Sequence, residues 1–434
     1  MRSLPSPRLH VARLARIAHF VPLSAAALML GVAMSFTAPY LSLFGVEAAG
    51  MSPLLAGVFM TLIAASGVVA STWAGRWSDR RDRHRPLLVA SLAAAALGFA
   101  LLCVLRAHVP VIAAGTILLG AGAVSLSQIF SFARAVLPVD DDAQRELASA
   151  ALRTMLSVAW VFGPALGALI LARTGFTGLF LAAAAGFVAC AAIVARIPEP
   201  ARRPAAVHVQ AVGNDANTPA DTTAIIVAPR ARVLRTLVAL TLMGLAANAT
   251  MIVLPLYIVR WLGGTPTNVS AALGLAALLE IPMMLWLGTR STRLDKARWL
   301  TACAAVHAAY FIGLAAVTRV DMILPLQLLS ACVVAITSCL GMTRVCDLMP
   351  TRPGTATAMF FSTARVGSIA SGVLSGACVD LFGYRATFAG CCGLALVAFA
   401  LLARDGRDAR GERGRARDAS GTTAPARRRF DAPH

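Results

Sequence analysis

Charged residues are scarce: Asp, Glu, Lys and Arg make up only 14% of 434 positions, and the only lysine is Lys296. A soluble domain carries about 25%, so a water-solvated surface is excluded for most of the chain. Aromatic residues are few as well, at 6%. None is interleaved among the C-terminal arginines for stacking on bases, so nucleic acid is not expected as a partner. The nine cysteines (103, 190, 303, 332, 339, 346, 378, 391 and 392) lie within or at the edges of apolar runs, with no CxxC spacing. They read as small membrane-helix residues, not as a disulfide framework or metal site. A GxxxxGK[ST] phosphate loop, a metal-ligand cluster and a Ser/His/Asp set are all missing, so neither an enzyme, nor a cofactor, nor ATP drive is expected. His108 and His307 stand alone and read as packing or interface residues.

What is present is apolar. The chain is 58% hydrophobic, with a mean hydropathy of +0.74. Runs of about the ~20 residues that a helix needs to cross a bilayer recur at 20–44, 53–74, 86–105, 109–137, 148–171 and 176–195. Six more follow at 236–260, 267–289, 299–317, 321–349, 356–380 and 384–403. The first run exceeds the 7–15 residues of a signal-peptide core and is expected to stay as an anchor. The fold expected is therefore an all-α integral membrane protein of twelve transmembrane helices. Its parts are an N-terminal tail (1–19), a six-helix half (20–195), a linker (196–235), a second six-helix half (236–403) and a basic, disordered tail (404–434).

The net charge of +19 sits mostly in loops and tails, where it sets topology. Arginines cluster at 76–85 and 196–235, and again at 290–298 beside Lys296. The alternate loops hold at most one basic residue beside a span, such as Arg106, Arg173, Arg260, Arg319 or Arg385. The loop at 138–146 is acidic, but acids contribute little to orientation. Both termini are thus expected in the cytoplasm. The two halves also echo each other: Pro39 and Pro255 lie 216 residues apart, Gly75 and Gly288 213, and Gly163 and Gly372 209. Near-equal offsets point to duplication, with a substrate site near the midplane between rocking halves.

A charge deep in an apolar span is costly and invites a functional reading. Of twenty acids, only Glu280, in Leu279-Glu280-Ile281-Pro282, lies well inside a span. It is either a proton-coupling carboxyl or one partner of a structural ion pair. Arg153 in the fifth span is the nearest cation in depth, and Arg365 in the eleventh competes with it. Arg134, Arg344 and Asp347, nearer the basic ends of their spans, are candidate gating residues or snorkelling side chains. Gly163-Pro164-Ala165-Leu166-Gly167 offers two glycines on one helix face for close packing. Gln128, Asn248 and Gln327 are candidate substrate-binding groups for sugar hydroxyls, or else amides that tie helices together. Tyr40, Trp160 and Trp286 are candidate platforms for a sugar ring.

The basic hairpin Gly75-Arg76-Trp77-Ser78-Asp79-Arg80-Arg81-Asp82-Arg83-His84-Arg85 resembles the second-to-third-helix loop of the major facilitator superfamily. Gly75, Asp79, Arg83 and Arg85 match its gating motif. The superfamily's usual second glycine is absent, and Thr292 stands where the second copy would have its Asp. The resemblance narrows with Ala38-Pro39-Tyr40-Leu41-Ser42-Leu43-Phe44, Leu152-Arg153, Ser157-Val158-Ala159-Trp160-Val161-Phe162-Gly163-Pro164, Leu279-Glu280-Ile281-Pro282 and Asp347-Leu348-Met349-Pro350. Together these blocks resemble the bacterial sugar efflux transporter family. That resemblance implies export of sugars or glycosides across the inner membrane in exchange for protons, with the fifth and eighth helices facing each other. A monomer in the lipid bilayer is expected. A multidrug/proton antiporter is the rival in the same class, and a non-transporting membrane sensor the rival from another.

Overall fold

The structure is a computed structural model, and it describes residues 17–81, 83–137, 142–198, 230–290, 294–349 and 353–421. Every regular element among them is helical. A bilayer offers no water to backbone polar groups, so an apolar run must bond its own N–H and C=O groups, and the helix does so. Among the described residues, ten helical segments are long and apolar enough to cross a membrane. We number the helices α1 (Phe20–Glu47), α2 (Pro53–Arg81), α3 (Arg85–Leu102), α4 (His108–Val136) and α5 (Asp142–Arg196). They continue as α6 (Arg230–Trp261), α7 (Pro266–Arg290), α8 (Lys296–Ala316), α9 (Val320–Leu348) and α10 (Pro353–Gly421).

These bounds follow the apolar runs closely, with two exceptions that share one cause. The runs 148–171 and 176–195 both lie in α5, which breaks at Gly175 (φ 66°, ψ −168°). The runs 356–380 and 384–403 both lie in α10, which breaks at Gly383 (φ 79°, ψ 175°). Left-handed backbone of this kind is open to glycine at no steric cost. A milder break falls within α1 at Phe36-Thr37, just before Pro39, which has no N–H to continue the ladder.

The tails and linker were expected from composition alone. Residues 1–16 and 199–229 lie outside the described residues, as do 422–434. Over 404–421 the structure differs from the disordered tail expected: α10 runs on to Gly421. Arginine, a strong helix former, recurs here at 404, 407, 410, 413, 415 and 417. Its first turn is also anchored, because Asp405 is 1% exposed. The Asp405 carboxylate pairs with Arg235 at 3.0 Å and accepts from the Thr236 hydroxyl at 2.9 Å. Removing one partner of a buried pair costs roughly 3–5 kcal/mol, and Arg235 keeps a 27% exposed side chain, which places this pair at the low end. Asp405→Ala is therefore expected to lower the Tm of the purified protein by several degrees, read by dye-monitored unfolding in detergent.

Close approach of backbones joins α1 to α5. A Cβ on Gly163 would strike Ser35, and one on Gly167 would strike the Phe36 carbonyl. The Ser35 hydroxyl donates to the Ala159 carbonyl at 2.9 Å. Small residues at such contacts replace the hydrophobic drive that lipid cannot supply. Further packing pairs α3 with α5, α8 with α10, α2 with α10, α5 with α7, and α6 with both α10 and α1.

Candidate functional site: a cavity beneath a closed end

Helices α5 to α9 enclose a cavity of about 360 Å³, within the range of small-molecule sites. Each helix turns one face to it, as the helical period requires. From α6 come Ala247, Thr250, Met251 and Leu254, at steps of three and four. From α7 come Leu273, Ala276, Ala277, Glu280, Ile281 and Met284, so Glu280 sits in the middle of an otherwise apolar face. Trp160 and Pro164 of α5 form one wall, and Gln327 and Ser330 of α9 another. His307 and Tyr310 of α8 complete the polar side.

The helices also meet closely at the end of the bundle where α1 finishes and α2 begins. There α2 and α10 meet through glycine. A Cβ on Gly57 would strike the Gly372 carbonyl, and one on Gly376 the Pro53 carbonyl. The Thr61 hydroxyl donates to the Ile369 carbonyl at 2.8 Å and accepts the Val373 N–H at 2.9 Å. Those two groups, four residues apart, would bond each other in a regular helix. Thr61 thus bonds both a carbonyl and an N–H of one turn of α10. Nearby, the Tyr40 hydroxyl is within donor range of the Pro164 (3.0 Å) and Pro266 (3.3 Å) carbonyls, and the Ser42 hydroxyl donates to the Ile252 carbonyl at 3.0 Å. These bonds tie α1 to α5, α7 and α6. Where α7 nears α5, a Cβ on Gly274 would lie 3.6 Å from the Val161 carbonyl. Glu280 lies six residues further along, about 9 Å at the helical rise.

The sequence candidates are thus sorted. Trp160, Glu280 and Gln327 meet in the cavity. Arg153 lies on α5, the helix against which α7 packs, but its side chain is outside the described residues. Tyr40, fully buried, is a strut between helices and not a platform in the cavity. Asn248 points off the α6 face and donates to its own helix at the Gly244 carbonyl, at 2.7 Å. Gln128 is buried in α4 with no hydrogen bond to its side-chain oxygen. Trp286 lies six residues from Glu280, which turns it to another face of α7. There it lines a second, apolar cavity of about 390 Å³ with Trp299 and stands 5.5 Å from the Arg290 guanidinium.

The gating candidates lie toward the basic end. Asp347 pairs with Lys296 at 2.6 Å, joining α9 to α8. Arg344 is half-buried, with Asp405, Asp347, Asp295 and Arg232 as its electrostatic neighbours. Arg134, Arg365 and Arg83 are exposed. Arg85 reaches the Ile197 carbonyl at 3.5 Å. Gly75 lies within α2 with open space beside it, and the Asp79 side chain is outside the described residues. Thr61, Gly57, Tyr310 and Ser330 were not among the sequence candidates, and His307 was read there as a packing or interface residue. Only Gly57, four residues before Thr61 in an apolar run, gave any local sign.

Residues 23–370 match the profile of the Major Facilitator Superfamily. A Deinococcus radiodurans protein, whose name provisionally calls it a sugar efflux transporter, is 36% identical over 386 residues, covering 88% of this chain and 97% of that one. Sugar efflux transporter A of Escherichia coli (strain K12) is 31% identical over 388 residues, covering 87% and 94%. Among solved structures, the nucleoside transporter NupG superposes with a TM-score of 0.72 at 12% identity, covering 88% of this chain and 98% of that one. At that identity the likeness speaks for fold alone. The profile match and the two relatives together identify this multi-pass membrane protein as a member of the sugar efflux transporter family, within the major facilitator superfamily.

Proposed function

We propose that the protein is a secondary active transporter that exports sugars or glycosides across the inner membrane by proton antiport with alternating access. The observation that carries the reading is Glu280, a carboxyl on an otherwise apolar helix face, turned into a cavity that also holds Trp160 and Gln327. A carboxyl so placed can exchange a proton with whichever side the cavity opens to, while the aromatic and amide groups suit a sugar. The sugar assignment is further supported by the names of its relatives.

Counting the two arms of α5 and of α10 separately, the ten segments become twelve crossings in two six-helix halves. Duplication is supported by the positive-φ glycines. Gly50 and Gly263 lie 213 residues apart and Gly175 and Gly383 lie 208 apart, within a few residues of the spacing of Gly163 and Gly372. With arginines held inside, the basic end and both termini face the cytoplasm, and the end at which Thr61 joins α2 to α10 faces outward. An exporter loads from the cytoplasm, and contact of α2 with α10 at the outer end suits the loading state. Arg153 is the candidate cation for Glu280, and the basic hairpin with Arg134, Arg344, Asp347 and Arg365 forms the candidate cytoplasmic gate.

The test is efflux from de-energised cells loaded with radiolabelled methyl glycosides or with a fluorescent cationic dye, followed after re-energising. Glycoside efflux that depends on the protein supports the reading. Efflux of the dye alone would assign the cavity to multidrug export instead.

A further inference from the structure

We propose that His307, Tyr310, Gln327 and Ser330 form the subsite that holds the ring hydroxyls of the exported sugar, with Trp160 across the cavity as the platform for the ring's apolar face. The inference rests on the sugar-export reading and assigns residues of α8 and α9 to it. His307 and Tyr310 are each 2% exposed and Gln327 1%. Yet the Nδ1 of His307 and the hydroxyl of Tyr310 have no hydrogen-bond partner in the protein. Tyr310 points its hydroxyl toward Gln327 and Ser330 without meeting the geometry of a hydrogen bond to either. The Gln327 side-chain N–H donates to the Ile323 carbonyl at 3.2 Å, which leaves its second N–H and its oxygen for another partner.

Buried polar atoms are almost always paired, so two unpaired ones, on a cavity wall that also carries Gln327 and Ser330, are placed to meet a ligand. Spacing on the helices aims them together: His307 and Tyr310 are three residues apart on α8, as are Gln327 and Ser330 on α9, and these helices pack against each other. Phe311 packs on the imidazole with ring centroids 4.6 Å apart, fixing its orientation. Neutral imidazole, phenol, amide and hydroxyl each donate and accept, which matches a sugar hydroxyl and not a hydrophobic cation. A site of this kind discriminates strongly, because an analogue lacking the hydroxyl leaves the protein groups unpaired.

The experiment measures binding of methyl β-galactoside, methyl β-glucoside and their monodeoxy analogues to the purified full-length protein, wild type and Tyr310→Phe. Ser330→Ala, a smaller change, is run in parallel in case the first variant folds poorly. The expected result is a roughly tenfold rise in Kd for a parent glycoside in a variant, with the rise absent for the one deoxy analogue that lacks the contacted hydroxyl. Equal Kd values for wild type and both variants, with glycosides still bound, would overturn the subsite alone. An equal rise for parents and all deoxy analogues would overturn it too. No glycoside binding by the folded wild type would overturn the export reading and the subsite together.

Discussion

Glu280→Gln is expected to reduce gradient-driven export to background while substrate exchange across the membrane persists. Glutamine keeps the size and the hydrogen-bonding capacity of the acid but cannot release a proton, so a single change separates coupling from binding. The expectation follows from position: Glu280 is the acid on the α7 face that lines the cavity, flanked by Ala276, Ala277, Ile281 and Met284. Ionisable groups kept at membrane depth mark ion pathways. In proteoliposomes, the variant should still equilibrate labelled glycoside between the two faces yet fail to concentrate it under an imposed pH gradient. Unchanged concentrative transport would remove Glu280 from the coupling step. Loss of exchange as well as coupling, in folded protein, would make it a structural or substrate-binding group.

The second large effect is expected where α2 meets α10. Gly57→Val places a branched side chain where the Gly372 carbonyl already lies in contact, and backbone cannot swing aside as a flexible side chain would. Overpacking costs about 1–3 kcal/mol, and all of it falls on the state in which α2 and α10 touch. A bias of about 1–3 kcal/mol shifts a two-state equilibrium roughly 5–150-fold, so the variant should shift toward the state open at this end and transport more slowly than the wild type. The readout is labelling of a cysteine introduced at Ala247, which lines the cavity, in a background lacking the native cysteines. An impermeant maleimide applied from the side of the α1–α2 turn should label it much faster in the Gly57→Val protein. Equal labelling rates would show that the glycine contact does not control access.

The contrast between these two sites explains what could be read in the chain alone. Glu280 was legible because its signal is local: an acid surrounded by apolar residues is anomalous in any bilayer. The apolar runs were legible for the same reason, and the gaps between them at 172–175 and 381–383 hold Gly175 and Gly383, where α5 and α10 break. The contact of α2 with α10 joins Thr61 to Ile369 across 308 residues. No property of either segment announces such a partner.

The surroundings of His307 were hidden by the same limit. A lone histidine in an apolar span is consistent with packing until the opposing helix is known, and here that helix brings Gln327 and Ser330. Trp286 shows the converse. It has the right residue type for a platform, but at six residues from Glu280 it falls on the wrong side of its helix. Tyr40 has the right depth, yet its hydroxyl is committed to the Pro164 and Pro266 carbonyls of α5 and α7. Residue type and depth come from sequence, whereas azimuth and partner come from packing.

The measurement that tests the central claim most directly is proton flux through the purified protein in liposomes with an imposed pH gradient, as methyl glycosides are added. The account predicts that a glycoside triggers flux in the wild-type protein, that cationic dyes do not, and that Glu280→Gln abolishes it. Glycoside movement with no accompanying proton flux, or full flux in the Glu280→Gln protein, would contradict it.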